Sequence, residues 1–424
     1  MLNSTSRRSQ ALSRLREARA ATDALFGIVK TEHLFERPIV ERHRLAFYIG
    51  HLEAFDWNLL MTPLGLGSLQ PDLDALFAFG IDPVDGKLPG DQASDWPPLE
   101  KFFRYREQTR AQLDAVLDEC DSGANETVDR LLNVAIEHRQ MHAETLSYLM
   151  HRMPFDHKRG SGALSQPPAR AVPVANVHIP AGTTTLGASR SSGTFGWDNE
   201  FEAQHVDVPA FVIDKYKVTN QQYLAFLDSG GYARPEFWED ADWNWKERDD
   251  IRHPAFWLWR DGGWHWRSMF GAIPLPPDWP VYVSHAEASA YARWAGRALP
   301  SETQWQRAAF GAEGDATFED FSEPLLRFDP TSVDAPELDY AGPFSVTGMR
   351  GNGWEWTSTL FAPFAGFRPF DFYPGYSEPF FDGKHFVLKG GSVRTAASML
   401  RPSFRNWFQP HYPYVYAGFR CVDR

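Results

Sequence analysis

Two histidines four residues apart, His138 and His142 in His-Arg-Gln-Met-His, have the spacing best suited to chemistry. On a helix, side chains at i and i+4 lie one above the other on one face, so two imidazoles can meet one metal ion. His51, far upstream in a second amphipathic stretch, is a candidate third nitrogen. A three-imidazole site with open coordination positions suits redox chemistry on a bound substrate, and facing helices of a bundle can supply it. Taken singly, a histidine on an apolar face is more often a packed core residue, and His51 has Phe47 and Phe55 one turn away on either side. His43, His151 and His157 are expected at the surface or at a bundle end.

The elements that would carry these rings follow from periodicity. Leu12, Leu15, Thr22, Leu25 and Phe26 recur at helical spacing, and Met1 to Arg19 is expected to lead into that first helix despite a weak likeness to a transit peptide. A second helix after Pro38 would carry Leu45, Tyr48, Leu52, Phe55 and Leu59. A stretch rich in Gly, Pro and Asp, Gly80 to Pro98, breaks the pattern. A third helix is expected from Pro98 to Cys120, then a turn at Asp121 and a fourth helix capped by Asn125 that reaches Met150 and bears the histidine pair. The implied architecture is a four-helix bundle over residues 1–157. Residues 158–172 read as a linker. Beyond it lies a loop-heavy α+β domain, residues 173–424, with helices near Thr219–Ser229 and His285–Gly296 and another opened by the Ser301-Glu-Thr-Gln capping box.

With 424 residues, two domains are the default. A formal charge of -13 argues against nucleic-acid or anionic-membrane partners, and no apolar run has the roughly 18–20 residues that a membrane helix needs. Two cysteines, Cys120 and Cys421, make no disulfide framework and suit a cytoplasmic location. Nearly all of the 16 Trp lie beyond residue 190, which separates two halves of different texture.

The second half contains Ile179-Pro-Ala-Gly, Phe195-Gly-Trp-Asp-Asn-Glu, Val218-Thr-Asn, Tyr291-Ala-Arg-Trp-Ala-Gly, Leu299-Pro-Ser-Glu, Gly351-Asn-Gly-Trp-Glu-Trp-Thr, Gly390-Gly-Ser and Gly418-Phe-Arg. Together these resemble the formylglycine-generating-enzyme-like domain, whose fold is also lectin-like. The first half resembles a DinB-like metal-binding bundle. In this order the two are similar to the ergothioneine-biosynthetic sulfoxide synthases, across nearly the whole chain. The resemblance implies oxidative attachment of sulfur or selenium to the imidazole of hercynine, with Fe(2+) as cofactor and O2 as co-substrate. It implies His51, His138 and His142 as the metal ligands, Tyr373 as the active-site tyrosine with Tyr376 as companion, and Asn406 and Trp407 as residues that seat hercynine. A site in the cleft between the two domains is expected. A quaternary ammonium favours aromatic faces, and Trp407, Phe408, Tyr412, Tyr414 and Tyr416 offer them.

Three departures bear on the donor. Members that use γ-glutamylcysteine resemble His-Glu-Gln-Gln-His, whereas Met141 stands here beside the second histidine. They carry Asp after Asn-Trp, where this chain has Phe408. They also place donor-binding arginines between the second and third helices, where Gly80–Pro98 offers only Lys87 among Asp82, Asp85, Asp91 and Asp95. A zwitterionic dipeptide needs charge-paired anchors, so these changes favour a less charged donor such as the selenosugar of selenoneine synthase. A cysteine or γ-glutamylcysteine donor is the alternative, with Arg104 and Arg106 in reach from the third helix. Three other classes remain. A formylglycine-generating enzyme needs a copper-binding cysteine pair, and the second half holds only Cys421. A DinB-type thiol transferase would use zinc or nickel without O2. A lectin-like binding module would need no metal. Trp354-Glu355-Trp356 and Cys421 are expected to be structural.

Overall fold

The computed structural model describes residues 4–80, 88–119, 126–160, 170–312, 327–338 and 342–424. It divides into two compact units, Met1–Ser161 and Gly162–Arg424. The first is helical: α1 (Ser4–Ile28), α2 (Leu45–Leu60), α3 (Pro71–Phe79), α4 (Leu99–Glu119) and α5 (Glu126–Arg152). Its core is the apolar stripe of each long helix turned inward. Leu12 and Leu15 of α1 meet Trp57 and Leu60 of α2, Leu113 and Leu117 of α4, and Leu131, Leu132 and Ile136 of α5. None of the described helices is long and apolar enough to cross a membrane.

The four expected helices are α1, α2, α4 and α5, and the short helix α3 is added between the second and third of them. Pro71 opens it, where a missing N–H costs nothing, and Asp72 and Asp74 sit in its first turn, where the helix dipole favours negative charge. The buried Asp74 carboxylate accepts from the backbone of Leu69 (3.0 Å) and from the Tyr105 hydroxyl of α4 (2.7 Å), which pins α3 in place. Its Phe77 ring lies directly over α2. A Cβ at Gly50 would come within 2.4 Å of that ring, so only glycine allows the approach. Cys120, the turn at Asp121, the Asn125 cap, and Asp82, Asp85 and Lys87 lie outside the described residues, as does most of the stretch read as a linker. Helix α2 begins at Leu45, because a turn at Val40 and Glu41, closed by the Arg42 N–H on the Ile39 carbonyl (3.1 Å), comes first.

The second unit is built of short sheets around loops. Strands β1 (Asn176–Ile179) and β4 (Phe211–Asp214) pair antiparallel, as do β2 (Gly182–Leu186) and β3 (Gln204–Val208). Strands β5 (Trp257–Arg260), β6 (Gly263–Arg267) and β7 (Ala272–Pro274) form a meander. A four-stranded sheet runs β10 (Asn406–Phe408), β9 (Phe386–Lys389), β8 (Trp354–Leu360), β11 (Ala417–Gly418), the last pair parallel. Helices α6 (Asn220–Asp228), α8 (His285–Trp294) and α9 (Glu302–Phe310) each open on a capping box, from Thr219, Ser284 and Ser301. An additional helix, α7 (Asp240–Arg248), was not anticipated. Its acidic first turn, Asp240 and Asp242, and its two tryptophans give no clean apolar stripe.

The sequence motifs of this unit turn out to be the two ends of buried ion pairs. Glu355 of Trp-Glu-Trp takes Arg420 of Gly-Phe-Arg in a fork (2.6 and 2.9 Å) and Lys217 at 3.2 Å. Burial pushes the Glu355 carboxyl up, but Arg420 and Lys217 outweigh it and hold it below the usual range. Glu200 likewise takes Arg401 and the Ser403 hydroxyl, and Glu302 takes Arg405. Trp354 and Trp356 are buried, and so is Cys421. Removing one partner of such a pair strands a desolvated charge. Arg420→Met is therefore expected to cost about 3–5 kcal/mol in chemical unfolding. A loss below 1 kcal/mol would show that Lys217 alone satisfies Glu355.

Candidate metal centre

The three histidines meet in the first unit. His142 Nε2 lies 3.2 Å from His51 Nε2 and 3.1 Å from His138 Nε2, and the three nitrogens fall within 4.8 Å of one another. The i,i+4 spacing on α5 stacks two of them. The third comes from α2, and α3 sets its tautomer: His51 Nδ1 lies 2.8 Å from the carbonyl of Phe77, so Nδ1 carries the proton and Nε2 is left a lone pair. Phe55 lies flat against His138 at 3.4 Å between centroids, and Phe47 stacks on His51 at 4.8 Å. The aromatic neighbours of His51 thus wall the rings, and the ligand and core readings are not in conflict.

Burial makes the set neutral. Desolvation drives His51 down to about 4, and pushes His138 and His142 well below the ordinary histidine value, with the neighbouring imidazoles adding to the effect. Three uncharged nitrogens converging on one point, at separations where no proton is shared by all, fit a divalent cation with N-donor preference. The Nδ1 atoms of His138 and His142 are buried and have no hydrogen-bond partner among the described residues. Tyr48, buried beside His142, has its hydroxyl pushed up to about 12 by burial and stays a neutral phenol.

Behind the rings lies a feature that sequence reasoning missed. Arg139, between the two histidines in sequence, is fully buried and reaches α2 as they do, at its charged residues. It donates to Glu53 (2.7 and 3.2 Å), to Asp56 (2.8 Å) and to the carbonyl of Leu52 (3.0 Å). Arg110 of α4 completes the group by bridging Glu53 (2.7 Å) to Asp23 of α1 (2.6 Å). The available signal was Glu53 and Asp56, two acids on an otherwise apolar helix. His151 lies at the end of α5, as one of the two expectations had it, but is buried there. His157 is half-buried at the bundle end, and His43 lies against Phe47 and Gly80.

In the second unit, Tyr373, Tyr376 and Trp407 come together. Tyr376 stacks on Trp197 at 4.0 Å, lies 5.6 Å from Tyr373 and meets Trp407 edge-on at 5.3 Å. The loop is held by Ser377, which donates to Asp198 and accepts from Asn199 Nδ2 (2.9 Å). Asn406 folds back on its own chain, its Oδ1 accepting from the Trp407 N–H (2.9 Å). Phe408 stacks parallel to Tyr412, which meets Tyr414 edge-on. Tyr416 does not belong with them: it is fully buried against Phe256 and Tyr282.

Comparison with known proteins accounts for both units. Residues 162–424 match the sulfatase-modifying factor enzyme 1-like domain, and residues 14–146 match the DinB superfamily. The hercynine oxygenase of Mycolicibacterium thermoresistibile is 36% identical over 380 residues, covering 84% of this chain and 82% of that protein. That of Mycolicibacterium smegmatis is 32% identical, with 84% of each chain covered. This chain belongs to the ergothioneine-biosynthetic sulfoxide synthase family. The ergothioneine biosynthesis protein 1 of Neurospora crassa is 28% identical, over 92% of this chain and 55% of that longer protein.

Within this family frame the structure adds to the donor question. Arg37 and Arg44 are both committed to Asp91 of the Gly80–Pro98 stretch, which also accepts from Trp96 (2.6 Å). Arg106 pairs with Asp23 and Arg104 is exposed on α4. Met141 is half-buried one residue before His142.

Two outcomes are expected. Arg139→Met should lower metal affinity roughly 10–100-fold by freeing the register of α2 against α5, with all three ligands intact. Unchanged affinity would limit Arg139 to a bundle role. The pH dependence of the metal-free protein follows from the depressed histidines, which the unfolded chain protonates first. Stability is full above about 6.5 and falls as pH drops toward about 4. A flat melting temperature across that window would contradict the neutral-imidazole assignment.

Proposed function

We propose that this chain joins selenium or sulfur to the imidazole carbon of hercynine, using Fe(II) at His51, His138 and His142 and O2 as oxidant, with a selenosugar as the donor. The observation that carries it is the convergence of three neutral imidazole nitrogens in a chain related to hercynine oxygenases. Replacing a carbon–hydrogen bond by a carbon–chalcogen bond with a selenol or thiol withdraws two electrons and two protons. Ferrous iron, when bound, would supply the site where O2 accepts those electrons beside both substrates. Because its ligands add no charge, an anionic selenolate or thiolate is attracted there.

The chain's own groups have distinct parts. Tyr373 keeps its proton: burial and the nearby Asp198 raise its hydroxyl above the ordinary tyrosine value. It is proposed as a proton donor during oxidation. Trp407, with Tyr376 and Phe380 around it, presents aromatic surface for the trimethylammonium group, and Asn406 lies beside it. Met141 and Phe408 stand where γ-glutamylcysteine-using members carry Gln and Asp and bring no charge to the donor, which suits a sugar held by hydrogen bonds and stacking.

Anaerobic loading with Fe(II) and hercynine, followed by air and one donor at a time, tests this directly. A selenosugar should give a hercynine adduct by mass spectrometry. Transfer from γ-glutamylcysteine or cysteine alone would move the chain to the thiol-using branch, and product without O2 uptake would remove the oxidative reading altogether. His138→Ala should abolish iron binding and turnover; near-normal iron occupancy would refute the ligand set. Tyr373→Phe should retain iron yet lose or divert the product, whereas an unchanged product profile takes the phenol out of the chemistry.

A further inference from the structure

The first unit contains a second convergence of metal-type ligands, made of other residues. His33 Nδ1 lies 2.6 Å from Glu36 Oε1, and His157 Nδ1 lies 2.8 Å from the same oxygen and 3.0 Å from Oε2. The three ligand atoms sit within 4.8 Å of one another. His33 and Glu36 belong to the connection between α1 and α2, and His157 follows the end of α5, so the group joins positions 121 residues apart.

Its backbone is already fixed. The Lys30 N–H donates to the carbonyl of His157 (3.0 Å), Glu36 N–H to His33 (3.0 Å), and Leu45 N–H to Glu36 (3.1 Å). Side-chain exposures of 25, 33 and 24% leave room for water on the outer side. Two imidazoles and one carboxylate are the donor set of three-ligand zinc sites that keep a water position.

We propose that His33, Glu36 and His157 form a second divalent-cation site of the zinc class, which clips the α1–α2 connection to the end of α5. The rings now stack face to face, 3.6 Å apart and 4° from parallel. A cation must lie in the plane of each ring, so binding fans them apart by side-chain rotation while Glu36 stays between them. A ring ligating through Nδ1 carries its proton on Nε2, and the two N–H contacts to Glu36 give way to the cation. This site does not depend on what His51, His138 and His142 hold.

The test uses the full chain, stripped of metal and titrated with Co2+ and Zn2+. In a His138→Ala/His142→Ala variant one equivalent should still bind, with the visible absorption of four- or five-coordinate Co2+. That equivalent should disappear in the same background with Glu36→Gln, which keeps an acceptor for the imidazole N–H groups and so preserves the metal-free fold. Zn2+ should raise the melting temperature of the first variant and leave that of the second unmoved. No Co2+ bound by the His138→Ala/His142→Ala protein, or binding indifferent to Glu36→Gln, overturns the proposal. Matching metal-free circular dichroism of the two variants excludes misfolding as the cause.

Discussion

The grip of Arg139 on Glu53 and Asp56 is the contact that sets the geometry of the candidate metal centre. A helix can slide against its neighbour by a turn without losing much apolar burial, because one stripe of Leu and Ile packs about as well as the next. A fork of charged hydrogen bonds cannot slide. Arg139 projects from α5 between His138 and His142, and its partners lie two and five residues beyond His51 on α2. Fixing that register fixes the separation of the three Nε2 atoms. A buried ionic group is weak evidence for stability, since its desolvation consumes most of what the Coulomb term returns. Here its value is positional.

The second unit relies on the same device several times over. It has few long elements, and sheets of two to four short strands bury little surface each. Glu200, Glu302 and Glu355 each meet an arginine from the last part of the chain, so residues 401–420 are tied to three separate points. Tyr373 and Tyr376 lie on a loop between those ties and Trp407 on the short strand β10, and Asp198 with Ser377 adds another. Loops held at both ends by buried hydrogen bonds can present aromatic rings in fixed positions although the backbone there is irregular.

The fold class was legible because each half announces itself differently. In the first, apolar spacing over twenty or more residues identifies the long helices; in the second, Gly, Trp and capping-box punctuation identifies a loop-rich α+β domain. The convergence of His138 and His142 was likewise readable, since it is a property of helix pitch alone. The short α3 was not, because nine residues give barely two turns of periodicity, yet it supplies the carbonyl that orients His51. Arg139 escaped for another reason. A charged residue in an amphipathic pattern is assigned to the solvent face by default, and its burial is decided by acids distant in sequence. His33, Glu36 and His157 share that feature: nothing local in the chain says that the end of α5 returns to the first connection.

Charge placement ties these points together. A bare guanidinium next to His138 would oppose any cation held by the three imidazoles, at a separation where the repulsion is several kcal/mol in a partly buried setting. Glu53 and Asp56 cancel it, and Arg110 and Arg19 in turn keep those carboxylates from becoming an excess of negative charge. Burial raises Asp56 while the arginines hold Glu53 below its usual range, so the two acids divide the compensation unequally. The network thus stays near neutrality just behind the rings, and the rings themselves are uncharged. Under the proposed function, a cation held by the three imidazoles would keep its full charge, and one anionic atom of the donor, a selenolate or thiolate, would suffice to hold it there.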